Sequence, residues 1–292
     1  MSDRKQQVIK MAHQLFIEKG FQATSIQDII DYCGIAKGTF YNYFSSKNEL
    51  LIAIFTEAYT KMEKERNKIL IGQDHSNIQL FIKQIEFQMY MNRKNKMVAL
   101  FEEVLVSHDE ELKQFIKEGQ LRLVQWVYLR FIQLFGEEKK TYLLDCAIMF
   151  IGILHQNIKY ADKRKNADEE VHKVVHYSVN RIVKVVEEVA ESGEQLHEPS
   201  HLDSWLSKDK RADQTFRLRL TETITSLRKR LKEDKDQVRY IELIDFIQDE
   251  ISHSHHPRKM LIESSLASLK NVLSEKELVE ELENILNTYI IK

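Results

Sequence analysis

The segment from Ala36 to Phe44 carries the residues best suited to bind another molecule. Phe40 and Phe44 are four residues apart, so a helix over this segment turns both rings to one side. Lys37, Thr39 and further polar or aromatic residues then occupy the outer faces. A threonine can meet a thymine methyl, a lysine can reach guanine or phosphate, and an adjacent glycine lets the backbone approach closely. This pattern predicts a short helix that reads DNA.

A second short helix precedes this segment and must position it. Ser25 is followed three residues later by Asp28, which is the spacing of a capping box at a helix start. Isoleucines then recur on one side of the helix. Gly34 ends it, since glycine tolerates the left-handed backbone that such a turn often needs. Two helices joined by a turn with glycine, the second polar and aromatic on its outer face, predict a helix-turn-helix.

Residues 4 to 50 resemble the N-terminal DNA-binding domain of the TetR/AcrR transcriptional regulators. The matching pieces are Ala12 to Phe16, Lys19-Gly20-Phe21, Thr24-Ser25, Asp28-Ile29, Gly34 to Tyr41, Tyr43-Phe44, Lys47 and Leu50-Leu51. This combination is far more specific than a generic helix-turn-helix, and it disfavours an ordinary three-helix core with surface aromatics. Ala36 departs from the family, which usually has serine there, so the hydroxyl of a phosphate contact or helix cap is missing.

The resemblance implies which residues touch DNA. Tyrosine hydroxyls on the second helix bind phosphate, and so does a lysine in the first turn of the next helix, where the helix N-terminus itself favours an anion. Thr24, at the start of the preceding helix, is expected to be a further phosphate contact. The predicted DNA-binding residues are Thr24, Ser25, Lys37, Gly38, Thr39, Tyr41, Asn42, Tyr43 and Lys47.

The composition indicates an all-α protein. The 292 residues include only two prolines and eight glycines, and 43% are hydrophobic. The net charge of −2 means that DNA contact must come from a local surface. Two cysteines and a polar N-terminus favour a cytoplasmic protein with reduced thiols. No window of about 18 apolar residues is evident, so no membrane span is expected.

The chain divides into a helix-turn-helix domain over 1–47, a helical ligand-binding and dimerisation domain over 48–195, and a C-terminal helical extension over 196–292. Ser46 with Glu49 predicts another capping box, at the start of a long helix that reaches about Ile71. The resemblance makes this helix the connector between the first two domains. Further helices are expected over 78–92, 95–107, 109–135, 139–161, 167–191, 201–208, 212–233, 235–252, 257–273 and 275–290. The helix over 109–135 is left open to a split near Gly119.

The second domain is rich in aromatic and methionine side chains. By the resemblance, its helices surround a pocket for a small, usually apolar inducer, although aromatics at helical spacing also suit a plain core. The candidate ligand-binding residues are Phe87, Tyr90, Phe101, Trp126, Tyr128, Tyr142, Phe150 and His155.

The resemblance also implies a homodimer, in which the apolar faces of the helices over 139–161 and 167–191 pair with their copies. Packing of these faces within one protomer is the alternative. Two-fold symmetry predicts a palindromic operator and, by family resemblance, a repressor that an inducer releases. In the alternative, the protein is a DNA-tethered interaction adaptor that a protein partner controls through residues 196–292.

Metal-binding and catalytic functions have little support in the sequence. His172 and His176 are one helical turn apart, and His253, His255 and His256 form a second cluster. Because no cysteine accompanies them and acidic residues are abundant throughout, we interpret these side chains as solvated. No nucleophile elbow, zinc-protease helix or dinucleotide fingerprint occurs. We therefore expect no metal, no cofactor, no catalytic residue and no enzyme activity.

Overall fold

The computed structural model is built of α-helices, and no strand occurs among the residues that it describes. Those residues are 3–71, 73–106, 109–161, 167–205, 216, 219–220, 223–228, 230–231, 237–253, 258–272 and 276–290. The first helices are α1 (Asp3–Lys19), α2 (Ile26–Cys33), α3 (Lys37–Tyr43), α4 (Lys47–Lys68), α5 (Ile78–Lys94), α6 (Met97–Val106) and α7 (Glu110–Phe135). A 3-10 turn over Glu137–Lys139 leads to α8 (Lys140–Ala161), α9 (Ala167–Ser192), α10 (Pro199–Trp205), α11 (Gln237–His253), α12 (Lys259–Val272) and α13 (Lys276–Ile290). The all-α prediction is confirmed.

The helix bounds lie close to those expected from the sequence. α7 runs without a break through Gly119, where a split was left open. Half of the helix expected over 212–233 lies outside the described residues, and the described half, which includes 223–228, is helical. His255 and His256 also lie outside them.

The first compact unit comprises Met1–Glu65 and Phe87–Gln120. Its core joins the three N-terminal helices to α6, because Phe16 and Phe40 belong to the same buried cluster as Leu100 and Val104. The helix-turn-helix therefore shares one apolar core with residues about 60 positions further along the chain.

An aromatic stack strengthens the packing of α4 on α6 in this unit. The rings of Phe55 and Phe101 stack with centroids 4.7 Å apart, and Tyr59 stacks on Phe101 at 6.3 Å. Nearby, the backbone N–H of Gln22 donates a hydrogen bond of 3.0 Å to the Glu103 carboxylate on α6. The loop between α1 and α2 is therefore fixed to α6 by a polar contact as well as by apolar burial.

The second compact unit comprises Arg66–Glu86 and Leu121–Lys292. α8 and α9 pack against each other within it. The protomer itself buries most of the apolar side chains that were candidates for a dimer interface, and these are Leu143, Leu144, Ala147, Phe150, Leu154, Val171, Val175, Val179, Ile182 and Val186. Packing within one chain, one of the two interpretations that the sequence leaves open, therefore explains why these side chains are apolar.

The C-terminal extension has an apolar core of its own within this unit. Leu227, Ile244 and Leu282 are among its buried residues. A buried polar group also joins the extension to the start of the unit, where the Arg228 guanidinium contacts the imidazole of His75 and the carboxylate of Asp245. The domain boundaries at 47/48 and 195/196 stay predictions.

One apolar helix needs a correction to the sequence analysis. The helical segment Glu137–Ala161 is long and apolar enough to cross a membrane, with a mean hydropathy of 1.2 over its most apolar window. Since α8 buries Leu144, Phe150 and Leu154 against its own unit, we interpret it as a core helix.

Candidate nucleic-acid interface

Helix α2, which leads into the turn before α3, begins at a cap and ends at a glycine. The Ser25 hydroxyl accepts a 3.1 Å hydrogen bond from the Asp28 N–H, and the Asp28 carboxylate accepts one of 2.7 Å from the Ser25 N–H. The predicted capping box is thereby confirmed. Gly34 has φ 60° and ψ 42°, and its N–H donates to the Asp31 carbonyl at 3.3 Å. An added Cβ would meet no atom within 4 Å, so lack of space does not explain the glycine. The left-handed backbone does, because residues with a Cβ adopt it only at a cost in free energy.

The capping carboxylate also ties α2 to the end of α1. The Lys19 ammonium lies 2.8 Å from Asp28. This contact, together with the hydrogen bonds from Ser25, holds the pKa of the Asp28 carboxyl well below its usual range. At neutral pH the charged form of Asp28 therefore helps to fix α2 on α1.

α3 divides sharply into a buried and an exposed side. Phe40 and Phe44 are 0% and 1% exposed, as the sequence predicts. The opposite side presents the remaining predicted residues of this helix. Lys37, Gly38, Tyr41 and Asn42 are exposed, whereas Thr39 and Tyr43 are half-buried. The structure brings these residues together on one surface, and their contact with DNA stays a prediction.

Lys47 is less free than its position in the sequence indicates. Its ammonium donates hydrogen bonds of 2.8 Å to the carbonyl oxygens of Phe21 and Thr24 and lies 4.3 Å from the centroid of the Phe21 ring. Partial burial lowers its pKa. Lys47 thus holds the loop between α1 and α2 in place, and a phosphate contact would add to this role.

Thr24 and Ser25 differ in accessibility. The Thr24 side chain is 1% exposed, and its hydroxyl donates a 2.6 Å hydrogen bond to the Gly20 carbonyl. To donate to a phosphate, this hydroxyl would have to leave Gly20. Ser25 is exposed at the start of α2, where a phosphate can reach it without such a change.

The start of α4 corrects one detail of the sequence analysis. The Ser46 hydroxyl accepts a 3.0 Å hydrogen bond from the Glu49 N–H, as a cap should. The Glu49 carboxylate, however, accepts from the backbone and hydroxyl of Ser45, at 2.6 and 2.7 Å. The predicted capping box is therefore wrong in its second half, because the glutamate reaches back one residue further than the motif requires.

The candidate ligand-binding residues fall in both compact units. Those in the first unit are Phe87, Tyr90 and Phe101, and those in the second are Trp126, Tyr128, Tyr142, Phe150 and His155. Tyr90 and His155 are exposed, whereas Tyr128 and Phe150 are buried. The role of this set in ligand binding stays a prediction.

Two of these residues pack around Phe81 in the second unit. The Phe81 ring lies 5.9 Å from Trp126 and 5.4 Å from Phe150, measured between centroids. The Arg66 guanidinium lies 3.5 Å from the centroid of Trp126, a cation–π contact. A cavity of about 390 Å³ in the first unit lies elsewhere, and its lining residues are Asp3, Arg4, Gln7, Val8, Met11, Cys33 and Ile35.

Two residues that support the predicted DNA-reading helices carry no local sequence signal. Glu103 binds the Gln22 backbone from 81 positions away. The Lys5 ammonium lies 4.9 Å from the centroid of the Phe44 ring at the end of α3. Helical periodicity concerns neighbours within a few turns, so it cannot reveal either contact.

Comparisons with known proteins agree with this geometry. Residues 8–54 match the family model described as bacterial regulatory proteins, tetR family. The chain is 30% identical over 200 residues to the uncharacterized HTH-type transcriptional regulator YerO of Bacillus subtilis, a match that covers 66% of this chain and 68% of that relative. The HTH-type transcriptional repressor KstR2 of Mycobacterium tuberculosis is 35% identical over 51 residues, 18% of this chain and 26% of that one. No solved structure gives a significant match.

A second Bacillus subtilis relative is similar over a shorter stretch. The uncharacterized HTH-type transcriptional regulator YuxN is 26% identical over 155 residues, which are 52% of this chain and 53% of that relative. In both Bacillus matches the two covered shares are nearly equal, so these relatives are about as long as this chain.

Proposed function

Because the chain belongs to the TetR family of bacterial regulatory proteins and is a DNA-binding transcriptional regulator, we propose that it is a homodimeric repressor that a small apolar ligand releases from a palindromic operator. The observation that carries the DNA-binding part is the two-sided character of α3. Phe40 and Phe44 anchor this helix in the core, while Lys37, Tyr41 and Asn42 face solvent. A short helix held in this way can enter the major groove with its outer side.

The residues of α3 divide the work of binding by their chemistry. Lys37 and Thr39, in the first turns, read base edges, and Gly38 between them allows close approach of the backbone. Tyr41 and Tyr43 donate their hydroxyls to phosphate oxygens, which fixes the register of the helix on the duplex. Since the net charge of the chain is −2, affinity depends on this local surface and falls as salt rises.

The proposed homodimer uses the outer sides of α8 and α9, because their inner sides are already packed within the protomer. Met149, Tyr160 and Tyr177 are exposed by 38%, 56% and 56%, respectively, on these two helices. Gly152 on α8 has open space around its Cα, which favours close approach of a second helix. Large exposed apolar groups on neighbouring helices are typical of a surface that a partner covers.

Release by a ligand requires that the ligand bind the DNA-incompetent state more tightly than the DNA-competent one. The aromatic groups of the second unit, with Trp126 and Phe150 around Phe81, offer apolar contacts of the kind that such a ligand needs. Helices α2 and α3 share a buried core with α6. A shift of α6 would therefore be transmitted to α2 and α3 by direct side-chain packing.

Fluorescence anisotropy with a DNA duplex selected by the purified protein tests the role of α3. We expect Tyr41→Ala to weaken binding by about tenfold, as the loss of one or two phosphate contacts should. Tyr32→Ala is the matched control, since Tyr32 is exposed by 41% on α2 against 47% for Tyr41 and is outside the predicted interface. Equal affinity of Tyr41→Ala and wild type, or an equal loss in both variants, would contradict the proposal.

Sedimentation of the same samples tests the dimer separately. Wild type and Tyr41→Ala should sediment alike as dimers, whereas Tyr177→Glu should shift the protein towards monomer, because it places a charge in the proposed interface. A monomeric wild-type protein at micromolar concentration would contradict the proposed dimer. It would not bear on DNA binding by α3, which the anisotropy assay tests separately.

The adaptor alternative requires a continuous apolar surface on the extension. The large apolar side chains that are exposed among its described residues are Leu196, Trp205, Val238, Met260 and Leu261. They are spread over the loop before α10 and over α10, α11 and α12, while the helices pack other apolar groups into a common core. This distribution favours the ligand-released repressor over the adaptor.

A further inference from the structure

Three side chains that commonly bind metals meet on two helices of the second unit. Glu86 lies on α5, and His172 and His176 lie on α9. A Glu86 carboxylate oxygen is 2.6 Å from Nδ1 of His172 and 3.7 Å from Nε2 of His176. All three potential ligand atoms lie within 4.8 Å of one another. The carboxylate from α5 is the element that inspection of the histidines alone does not reveal.

The two histidines are arranged by the helix that carries them. Residues four apart on an α-helix lie one above the other on the same face, and the two imidazole centroids are 4.3 Å apart. Glu86 approaches this face from α5, with its side chain 26% exposed, whereas His172 is 62% exposed. The group is thus held from two sides and remains open to an ion from solvent.

We propose that Glu86, His172 and His176 form a binding site for a divalent transition-metal ion of the Zn²⁺ class. Imidazole nitrogens favour zinc, nickel, cobalt and copper, whereas magnesium and calcium prefer sites made of oxygen ligands. Two histidines one turn apart and a carboxylate supply three of the four ligands of a tetrahedral zinc ion. Water or a further ligand completes the set.

The side chains need only small movements to reach coordinating positions. With Zn–N and Zn–O distances near 2 Å, tetrahedral geometry places ligand atoms about 3.3 Å apart. The contact between Glu86 and His172 must open from 2.6 Å, and that between Glu86 and His176 must shorten slightly from 3.7 Å. Rotations about the side-chain bonds achieve both changes, because His172 and Glu86 are partly exposed.

The lysine beside His172 has an ion-pair partner of its own. Lys173, next to His172, directs its ammonium to Glu169 at 2.8 Å. Its positive charge is therefore offset on the exposed side of α9. An ion at the site would replace the hydrogen bond between Glu86 and His172 by metal–ligand bonds and would link α5 to α9.

The chain contains a matched comparison for this pair of histidines. His197 and His201 are also four residues apart, but their ring centroids are 6.0 Å apart. They do not belong to a group of three metal-ligating side chains among the described residues. Spacing in the sequence is the same in both pairs. The proposed site differs by its added carboxylate, by its closer rings and by the single helix that carries both histidines, since His197 precedes α10.

Competition between the full-length, chelator-treated protein and a chromophoric chelator for Zn²⁺ tests the site. Wild type should take up one ion per chain. His172→Ala and His176→Ala should each weaken binding by at least about 100-fold and Glu86→Gln by at least about tenfold, since even partners of metal ligands contribute factors of 10 to 100. His197→Ala with His201→Ala should bind as wild type does.

Cobalt supplies a second readout of the ligand geometry. Co²⁺ bound to wild type should give intense visible absorption typical of tetrahedral coordination, and His176→Ala should lose it. Far-UV circular dichroism shows whether each variant is folded, and Zn²⁺ should raise the melting temperature of wild type but not of His176→Ala. Absence of zinc binding by wild type, or unchanged binding by folded His176→Ala, would overturn the proposal.

Discussion

Replacement of His75 by glutamine is expected to remove much of the acid sensitivity of the second unit. The His75 side chain is buried, its Nε2 lies 3.1 Å from the Leu70 carbonyl oxygen, and its ring contacts the Arg228 guanidinium. The neutral imidazole suits both neighbours, since it carries one N–H that can donate to the carbonyl and one ring nitrogen that can accept from the arginine. Burial foremost, and then the charges of Arg228 and Arg130, lower the pKa of His75 from 6.5 to about 2.

The size of the effect follows from the difference in proton binding between the folded and unfolded states. Below pH 6.5 the unfolded chain protonates this histidine, whereas the folded chain does not until the pH approaches about 2. Stability is therefore lost as the pH falls through this window, by about 1.4 kcal/mol per pH unit once the unfolded state is protonated. Between pH 7 and pH 5 the free energy of unfolding should drop by about 2 kcal/mol from His75 alone.

Urea unfolding at pH 7 and pH 5 measures this drop. Glutamine retains an amide that can donate and accept but does not titrate, so His75→Gln should lose about 2 kcal/mol less than wild type over this interval. His201→Gln is the matched control, because His201 is exposed on α10, and its drop should equal that of wild type. If wild type and His75→Gln lose the same free energy on acidification, the reasoning about this buried group is refuted.

Three further outcomes follow from the first unit. Gly34→Ala should lower the free energy of unfolding by about 1 kcal/mol, because alanine pays for the left-handed backbone, and Gly34→Asn should cost less; equal melting temperatures of Gly34→Ala and wild type would contradict this. Asp28→Asn should destabilise the unit at pH 7, and its deficit relative to wild type should shrink steadily as the pH falls below the ordinary carboxyl pKa, since the pKa of Asp28 is depressed in the folded chain and its contribution is lost only as the pH approaches that depressed value; a deficit that does not change with pH would contradict this. Lys37→Ala should weaken binding to the selected duplex more than binding to a random duplex, because its ammonium reads a base edge, and an equal loss on both duplexes in anisotropy titrations would contradict that role.

The helices and the helix-turn-helix can be predicted from the sequence because the interactions that form them are local. The cap formed by Ser25 and Asp28, the left-handed Gly34 and the inward pair Phe40 and Phe44 each involve residues within four positions of one another or a single backbone conformation. Capping, turn and periodicity rules describe interactions of this range. The helix-turn-helix and the all-α fold therefore follow from the sequence.

The remaining features depend on contacts between distant parts of the chain. Lys47 binds the carbonyl of Phe21, 26 residues earlier, and Glu86 meets His172, 86 residues later. Spacing on a single helix reveals that His172 and His176 share a face, but it cannot show which helix faces them. For the same reason it could not show that α8 and α9 bury their apolar faces within one protomer.

The reading role of α3 is tested most directly by selecting bound sequences from a random pool of DNA duplexes with the purified protein. The account predicts an enriched inverted repeat whose half-sites are centred about one helical turn, or a whole number of turns, apart, and it predicts that Tyr41→Ala enriches this repeat weakly or not at all. Failure of wild type to enrich any sequence, or equal enrichment of the same repeat by Tyr41→Ala, would contradict it.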